Sequence, residues 1–491
     1  MTVARSRRTF LFFLFAAMSC AGTASLRAAA APAAGSVPVV MLSDIHFDPF
    51  HDPAKFERLR NAPVSEWQKI LSEPDTPTQP ADFAKLVKGC VARGFDTPWT
   101  LLESSLEAAR TQSPHALFVT VSGDLVVHKF ECKFNLLARD AAPGELSAFA
   151  AKTVAYVAGE LHRTFPAAPV YLALGNNDSG CADYREDPDS AFLQTAAESF
   201  GNTIGTPAAR KDLLQIFPAG GSYSVALPKP VVRGRLIVLQ DLFLSSEYAG
   251  CNGKPDAAPG TAQLEWLRTE LAAAHAHHEQ VWVMAHIPPG VNQYSTTTQK
   301  RDVCGGQPPV MFLRDEQLVD VLTAFSADIR LVLFGHTHND EMRLLQTAPA
   351  PGAKSPSWVA AKLVPAITPI NGNMPAFTLA EVDPRTAVLK DYEVVAASNS
   401  TGVATDWHEE YRFSTTYHRA AYTPEDVAAI IAQFSAEKTG AAPLSNAYEQ
   451  NFMVNGGLRA IAIRVVWPQY VCSLSNDTAA AYRSCVCPAK P

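Results

Sequence analysis

Five short apolar runs rich in β-branched residues recur along the chain: Val37–Leu42, Ala116–Val121, Val170–Leu174, Val281–Ala285 and Arg330–Phe334. Near-continuous apolarity, in place of strict alternation, is what a strand buried on both faces requires. Each run ends in polar residues: Ser43-Asp44-Ile45-His46, Ser122-Gly123-Asp124, Gly175-Asn176-Asn177-Asp178, His286-Ile287-Pro288-Pro289-Gly290 and Gly335-His336-Thr337-His338. A sixth run, Leu236–Leu239, carries no such cluster. Between the runs, apolar positions three and four apart predict helices over Thr100–Arg110, Glu145–Arg163, Thr261–Ala274 and Asp315–Phe325. Strands alternating with helices imply an α/β protein of stacked layers. A hairpin over Ala376–Val382 and Ala387–Val395, split by Asp383-Pro384-Arg385, finishes the sheet, and Thr347–Pro356 reads as a surface loop. From about Ser398 the character changes, and Thr423-Pro424-Glu425-Asp426 opens a helix with a cap and an N1 proline. The expected organisation is a main domain over 35–397 and a helical, cysteine-containing subdomain over 398–491, stapled to itself or to the core.

Length agrees with that division, since 491 residues suit one large catalytic domain plus an appendage. With 47% hydrophobic residues the chain is globular, and a net charge of −7 excludes a nucleic-acid binder built on a basic surface. The N-terminus changes the picture further. Arg5, Arg7 and Arg8 precede an apolar run from Phe10 to Met18 and then small residues, so 1–34 reads as a secretory signal peptide and the mature protein as extracytoplasmic, periplasmic or secreted. That run is far short of the ~20 residues a membrane-spanning helix needs, and no later window qualifies. Two export routes stay open: Ser6-Arg7-Arg8-Thr9-Phe10-Leu11 resembles a twin-arginine signal, while the Phe-rich stretch suits the general secretory route. Cys20 lacks a large aliphatic residue at the third position before it, and its thiol leaves with the leader. The eight other cysteines, Cys90, Cys132, Cys181, Cys251, Cys304, Cys472, Cys485 and Cys487, are scattered and not clipped in short pairs, which predicts disulfides of unspecified connectivity.

In open α/β sheets the ligand site lies at the carboxyl ends of the strands. The five polar clusters should therefore converge, and Asp44, His46, Asp124, Asn176, His286, His336 and His338 then offer seven donors. That is too many for one tetrahedral zinc ion and suits two ions about 3.5–4 Å apart sharing a carboxylate. His336 and His338 would share a face of a continued strand, so the turn after Gly335 must aim them apart.

The order D-x-H, G-D, G-N-x-D, H, G-H-x-H resembles the calcineurin-like metallophosphoesterase superfamily from about Val37 to Val395. The resemblance implies a four-layer α/β/β/α sandwich, with Asp44, His46 and His338 on one metal ion, Asn176, His286 and His336 on the other, and Asp124 bridging. Zinc is the default for such donors, with iron or manganese open. Asp44-Ile45-His46-Phe47-Asp48-Pro49, His128 four residues after Asp124, and His286-Ile287-Pro288-Pro289-Gly290 resemble the acid-sphingomyelinase-like branch and the vacuolar endopolyphosphatase. Gly220-Gly221-Ser222-Tyr223-Ser224, Gln263-Leu264-Glu265-Trp266-Leu267, Tyr470-Val471-Cys472 and Tyr482-Arg483-Ser484-Cys485 add to that likeness. Most of the superfamily has G-N-H-[DE], whose histidine protonates the leaving oxygen. Here Asn177 stands in that place and has no usable proton, so the acid role is expected to move to His128, with Asp178 holding the Asn177 amide toward a phosphate oxygen. Val127 stands where purple acid phosphatases place a metal-bound tyrosine. The implied activity is a metal-dependent phosphoric ester hydrolase, a phosphodiesterase acting on a diester or an anhydride such as polyphosphate, with transient membrane-surface contact if the substrate is a lipid. The alternatives are a phosphomonoesterase of the same superfamily and an inactive secreted binding protein. A serine esterase is disfavoured, as no G-x-S-x-G elbow is present.

Overall fold

The computed structural model describes residues 35–347, 357–454 and 461–487, all within one compact unit, residues 32–491. The leader at 1–34 and nearly all of the expected loop at 347–356 lie outside the described residues. Among the described residues, twelve strands form two six-stranded sheets flanked by helices. In chain order they are β1 (Val37–Leu42), β2 (Val119–Val121), β3 (Val170–Leu172), β4 (Tyr223–Ala226), β5 (Gly234–Val238), β6 (Gln280–Met284), β7 (Ile329–Phe334), β8 (Glu341–Gln346), β9 (Trp358–Leu363), β10 (Ala376–Val382), β11 (Leu389–Ala397) and β12 (Trp407–Arg412). The first sheet runs β12-β11-β10-β1-β2-β3, with β1, β2 and β3 parallel and the β10–β12 side antiparallel. The second runs β4-β5-β6-β7-β9-β8, parallel from β5 through β9 with an antiparallel strand at each edge.

The period-2 geometry of the strands sorts the apolar residues into two cores. Leu236, Val238, Trp282, Met284, Leu331 and Leu333 point toward the first sheet, where the Trp282 ring meets Phe118 edge-on at 5.7 Å. Their neighbours Ile237, Val281, Val283, Val332 and Phe334 point outward and pack under the helices Ala258–Ala276 and Gln317–Ala324. The inner core joins the two sheets, and helices Trp99–Gln112 and Glu145–Thr164 contribute to it. The four helices and the β10–β11 hairpin stand where the periodicity predicts them.

Four strands, β4, β8, β9 and β12, lie outside the runs that the sequence pattern predicts. In β8 and β9 the buried charges Glu341, Arg343 and Lys362 interrupt the apolar pattern. Lys362 is fully buried and paired with Asp340, which also accepts from the Tyr411 hydroxyl. Edge strand β12 exposes Glu409 and shows no apolar alternation, and it belongs to the first sheet although it follows Ser398. Beyond it the described residues form helices, and Thr423 caps the helix Pro424–Ser435 by accepting from the Asp426 N–H. The last helices lie along β8, where the Leu344 N–H donates to Leu474 O and the Gln346 N–H to Asp477. The eight cysteines among the described residues pair: Cys90–Cys132, Cys181–Cys251, Cys304–Cys487 and Cys472–Cys485. The last two bridges staple the C-terminal segment both to the core and to itself. Among the described residues no helix is long and apolar enough to cross a membrane.

Candidate metal centre

The loops leaving β1 and β2 run side by side. Asp44 N–H donates to Gly123 O at 3.0 Å and His46 N–H to Asp124 O at 2.9 Å. The Gly335 N–H, just past β7, donates to His286 O at 2.9 Å. These bonds hold an unusual backbone: Asp44, His46, Asp124, His336 and His338 have φ of 48°, 45°, 55°, 70° and 64°. A left-handed residue other than glycine costs on the order of 1–3 kcal/mol, and such residues gather at functional sites. The conformation turns each side chain out of the strand's two faces, and this sends His336 and His338 to different partners. Two glycines allow the close approach. A Cβ on Gly175 would sit 2.1 Å from Asp124 Oδ1, and one on Gly335 would sit 2.1 Å from Ser43 Oγ.

The seven donors converge as two trios about one carboxylate. His338 Nε2 lies 3.2 Å from His46 Nε2 and 3.4 Å from Asp44 Oδ1. Asn176 Oδ1 lies 3.1 Å from His286 Nε2 and 2.9 Å from His336 Nδ1. Between them, Asp124 Oδ2 is 3.3 Å from His46 Nε2 and 3.1 Å from His286 Nε2.

The hydrogen-bonding chemistry of this cluster fits a cation. His46 Nδ1 faces Val126 O at 2.9 Å and His286 Nδ1 faces Ser122 O at 2.8 Å; carbonyls only accept, so both Nδ1 atoms carry the proton and both Nε2 atoms turn inward toward other acceptors. Burial, followed by repulsion from neighbouring imidazoles, holds His46 down at about 4 and His336 at about 3, so both rings are neutral at physiological pH, as ligands must be. For His286, burial alone would lower the basicity, but the charge and hydrogen bond of Asp124 push it up to about 10. Buried acceptors that face one another are satisfied by a positive charge among them.

Around the donors stand residues that orient them. Asp241, at the end of β5, takes the His286 and Ile287 N–H groups. Asn371 meets His338 Nδ1 at 3.2 Å. Asp183 accepts from Asn176 Nδ2 at 2.8 Å, which leaves the amide oxygen facing the histidines, and Tyr184 Oη meets His336 Nε2 at 3.3 Å. None of these four was anticipated, because they come from loops or from the run end that carries no polar cluster.

His128 stacks on His46 with ring centroids 3.9 Å apart, and its Nδ1 pairs with Asp96, a buried carboxylate also bound by Thr368. Burial opposes the charged imidazole, but Asp96 outweighs it and holds His128 above its ordinary value. Its side chain keeps 28% of its surface open. Asn177 and Asp178 are placed differently from expectation. The Asn177 amide donates to Asp124 Oδ2 at 2.9 Å, and Asp178 is spent on the N–H groups of Gly175, Leu125 and Val126, away from the Asn177 amide. A carboxylate three residues past Gly175 closes its own turn and ties that loop to the β2 loop. Asp48 of the D-x-H-x-D-P block forms a buried pair with Lys133 at 2.8 Å, a role in the core beside the site.

The sequence model of the calcineurin-like phosphoesterase family matches residues 37–340. Over 391 residues the chain is 26% identical to acid sphingomyelinase-like phosphodiesterase 3b of Mus musculus, covering 77% of this chain and 75% of that one. It is 24% identical over 350 residues to cyclic GMP-AMP phosphodiesterase SMPDL3A of Mus musculus, covering 69% and 71%. A dimetal phosphatase structure from Danio rerio aligns with 79% of this chain and 99% of its own at 12% identity and a TM-score of 0.41.

Proposed function

The chain belongs to the calcineurin-like phosphoesterase family, and from that premise we propose that it is an extracytoplasmic, dinuclear phosphodiesterase that cleaves a phosphodiester or phosphoanhydride with water. It is a metal-dependent phosphoester hydrolase. The finer reading is supported above all by the position of Asp124, whose one oxygen lies within hydrogen-bond distance of a histidine from each trio. On this reading Asp44, His46 and His338 hold one divalent ion, Asn176, His286 and His336 hold the second, and Asp124 is shared. Two such ions, when bound, clamp phosphate oxygens and lower the pKa of a water toward neutrality. Zinc is the default for nitrogen and oxygen donors.

The remaining chemistry belongs to the chain. The backbone bonds across the strand ends fix the donors before substrate arrives, which favours in-line attack by limiting the geometries available. His128, held through Nδ1 by Asp96, has Nε2 as its free nitrogen and carries the proton for the leaving oxygen. Asn177 supports the shared carboxylate and leaves that acid role to His128. The phosphodiesterase names of the relatives favour diesters over monoesters, and four disulfides fit an oxidising compartment outside the cytoplasm. The test is elemental analysis of the purified full chain together with turnover of bis-p-nitrophenyl phosphate, p-nitrophenyl phosphate, sphingomyelin, cyclic dinucleotides and polyphosphate. Two ions per chain with higher kcat/KM on the diesters or on polyphosphate is the expected result. A clear preference for p-nitrophenyl phosphate would overturn the choice of substrate, and one ion per chain would overturn the dinuclear assignment.

A further inference from the structure

The loop that follows Asp178 returns to the candidate metal centre. Residues 179–187 form a strap closed by the Cys181–Cys251 bridge. Ser179 Oγ accepts from the Cys181 and Ala182 N–H groups and itself donates to Arg185 O. The neighbouring loop grips the strap twice more, through Cys251 N–H to Asp187 and Tyr248 Oη to Glu186 O. At its centre Tyr184 is left-handed, with φ of 57°. Its N–H donates to Asn176 O at 3.0 Å and its carbonyl accepts from the Ala249 N–H at 3.1 Å, so both sides of the strained residue are pinned. A bulky aromatic in this region is an outlier that the surroundings must enforce.

The enforced conformation brings the half-buried phenol to His336. Its oxygen lies 3.3 Å from Nε2, with the two rings at 89°. His336 turns Nδ1 toward Asn176 Oδ1, the side on which the second trio gathers. A ring that ligates through Nδ1 carries its proton on Nε2, and that proton goes to the Tyr184 oxygen. The phenol then acts as acceptor from His336, and its own O–H is left to donate elsewhere. A phenol ordinarily titrates at about 10 and keeps that proton at neutral pH. The position next to Asn176 aims its amide at the shared carboxylate, since the Asn177 Nδ2 donates to Asp124.

We propose that Tyr184 is a substrate-contacting residue, its hydroxyl donating to a phosphoryl oxygen beside the Asn176–His286–His336 trio, and that the Cys181–Cys251 strap exists to hold it there. The inference rests on the dinuclear reading given above. It is specific to an anionic phosphoryl group, because a hydrogen bond to a charged oxygen is worth more than one to a neutral acceptor.

The test uses the full-length, zinc-reconstituted protein and inorganic phosphate as the probe. Calorimetry gives the phosphate Kd, elemental analysis the metal content, and bis-p-nitrophenyl phosphate the kinetics. Tyr184→Phe removes one oxygen and preserves the packing. Two ions per chain with phosphate bound about 10- to 100-fold more weakly is the expected result, with kcat/KM reduced by a similar factor. The double variant Cys181→Ser/Cys251→Ser should lose phosphate affinity in the same direction at the same metal content. Unchanged phosphate affinity in Tyr184→Phe would overturn the contact, and loss of an ion in that variant would reduce Tyr184 to a support for His336. Unchanged affinity in the double variant would overturn the role of the strap. A wild-type chain that binds ions but not phosphate would overturn this inference and the proposed function together, whereas equal Kd in wild type and Tyr184→Phe removes this inference alone.

Discussion

A carboxamide can donate a hydrogen bond but has no proton to release near neutral pH, and at position 177 this decides the division of labour. The Asn177 amide is bound to Asp124 Oδ2, and on the proposed reading proton donation to a leaving group falls to His128 across the site. His128→Ala should slow esters with poor leaving groups by about 10²–10⁴-fold and spare activated nitrophenyl esters, which depart without a proton. The measurement is the leaving-group dependence of kcat in both proteins, and equal slopes would remove His128 from the role. Asn177→Ala should leave that slope unchanged and weaken metal affinity by about 10–100-fold, the usual effect of losing a hydrogen bond to a ligand. Asp124→Asn goes further, because it removes the charge that the trios share. Metal content and activity should fall together, activity by more than ~100-fold, and elemental analysis showing two ions in an active Asp124→Asn protein would refute the sharing.

At the scale of elements, the strap adds a pH dependence of its own. Glu186 is fully buried, and burial raises its carboxyl to about 7 against the pull of the Gly180 and Asp187 N–H groups. An acid whose folded pKa is raised costs nothing below its unfolded value near 4.5 and costs stability progressively as pH rises through about 7. Glu186→Gln has no such charge to suppress. Whatever its offset at about pH 5, its melting temperature should move in its favour relative to wild type by about pH 8; a constant difference across that range would show that Glu186 ionises freely in the fold. The elements differ in how plainly the sequence carries them. Strands β1, β6 and β7 are apolar runs with polar residues massed at one end, and the clustering of those polar residues follows directly from those ends. Strands β8 and β9 hide behind Arg343 and Lys362, charges that are tolerated only because Pro289 O and Asp340 meet them in three dimensions. Asp96, Tyr184 and Asn371 were equally hidden. A positioning residue in a loop has no period, and its partner lies tens to hundreds of residues away.

Over the whole molecule, the disulfides act on very different lengths of chain. Cys472–Cys485 spans 13 residues within the C-terminal segment, whereas Cys304–Cys487 spans 183 and closes a small core of Val291, Val303, Cys472 and Tyr482. Closure entropy grows with the logarithm of the loop, from about 3 kcal/mol for the short bridge toward about 5 kcal/mol for the long one. Thermal unfolding should therefore show a larger loss for Cys304→Ser/Cys487→Ser than for Cys472→Ser/Cys485→Ser. Equal losses would mean that packing of the last helices on β8, and not the covalent link, sets the stability of this end.

The contact between His46 and His338 joins positions 292 residues apart. Its contact order is high, and loop-closure entropy makes such contacts among the last to form. A nascent chain, a chain threaded unfolded through a translocation pore, or a fragment that stops short of β7 cannot assemble the donor set. Metal acquisition is thereby placed after folding, and the compartment where the chain folds is the compartment whose metal supply it must use. An unfolded export route would draw on the ions outside the cytoplasm, and a folded one on those within. Comparing the metal recovered from the same chain sent by each route would read out where the last pair of strands closed.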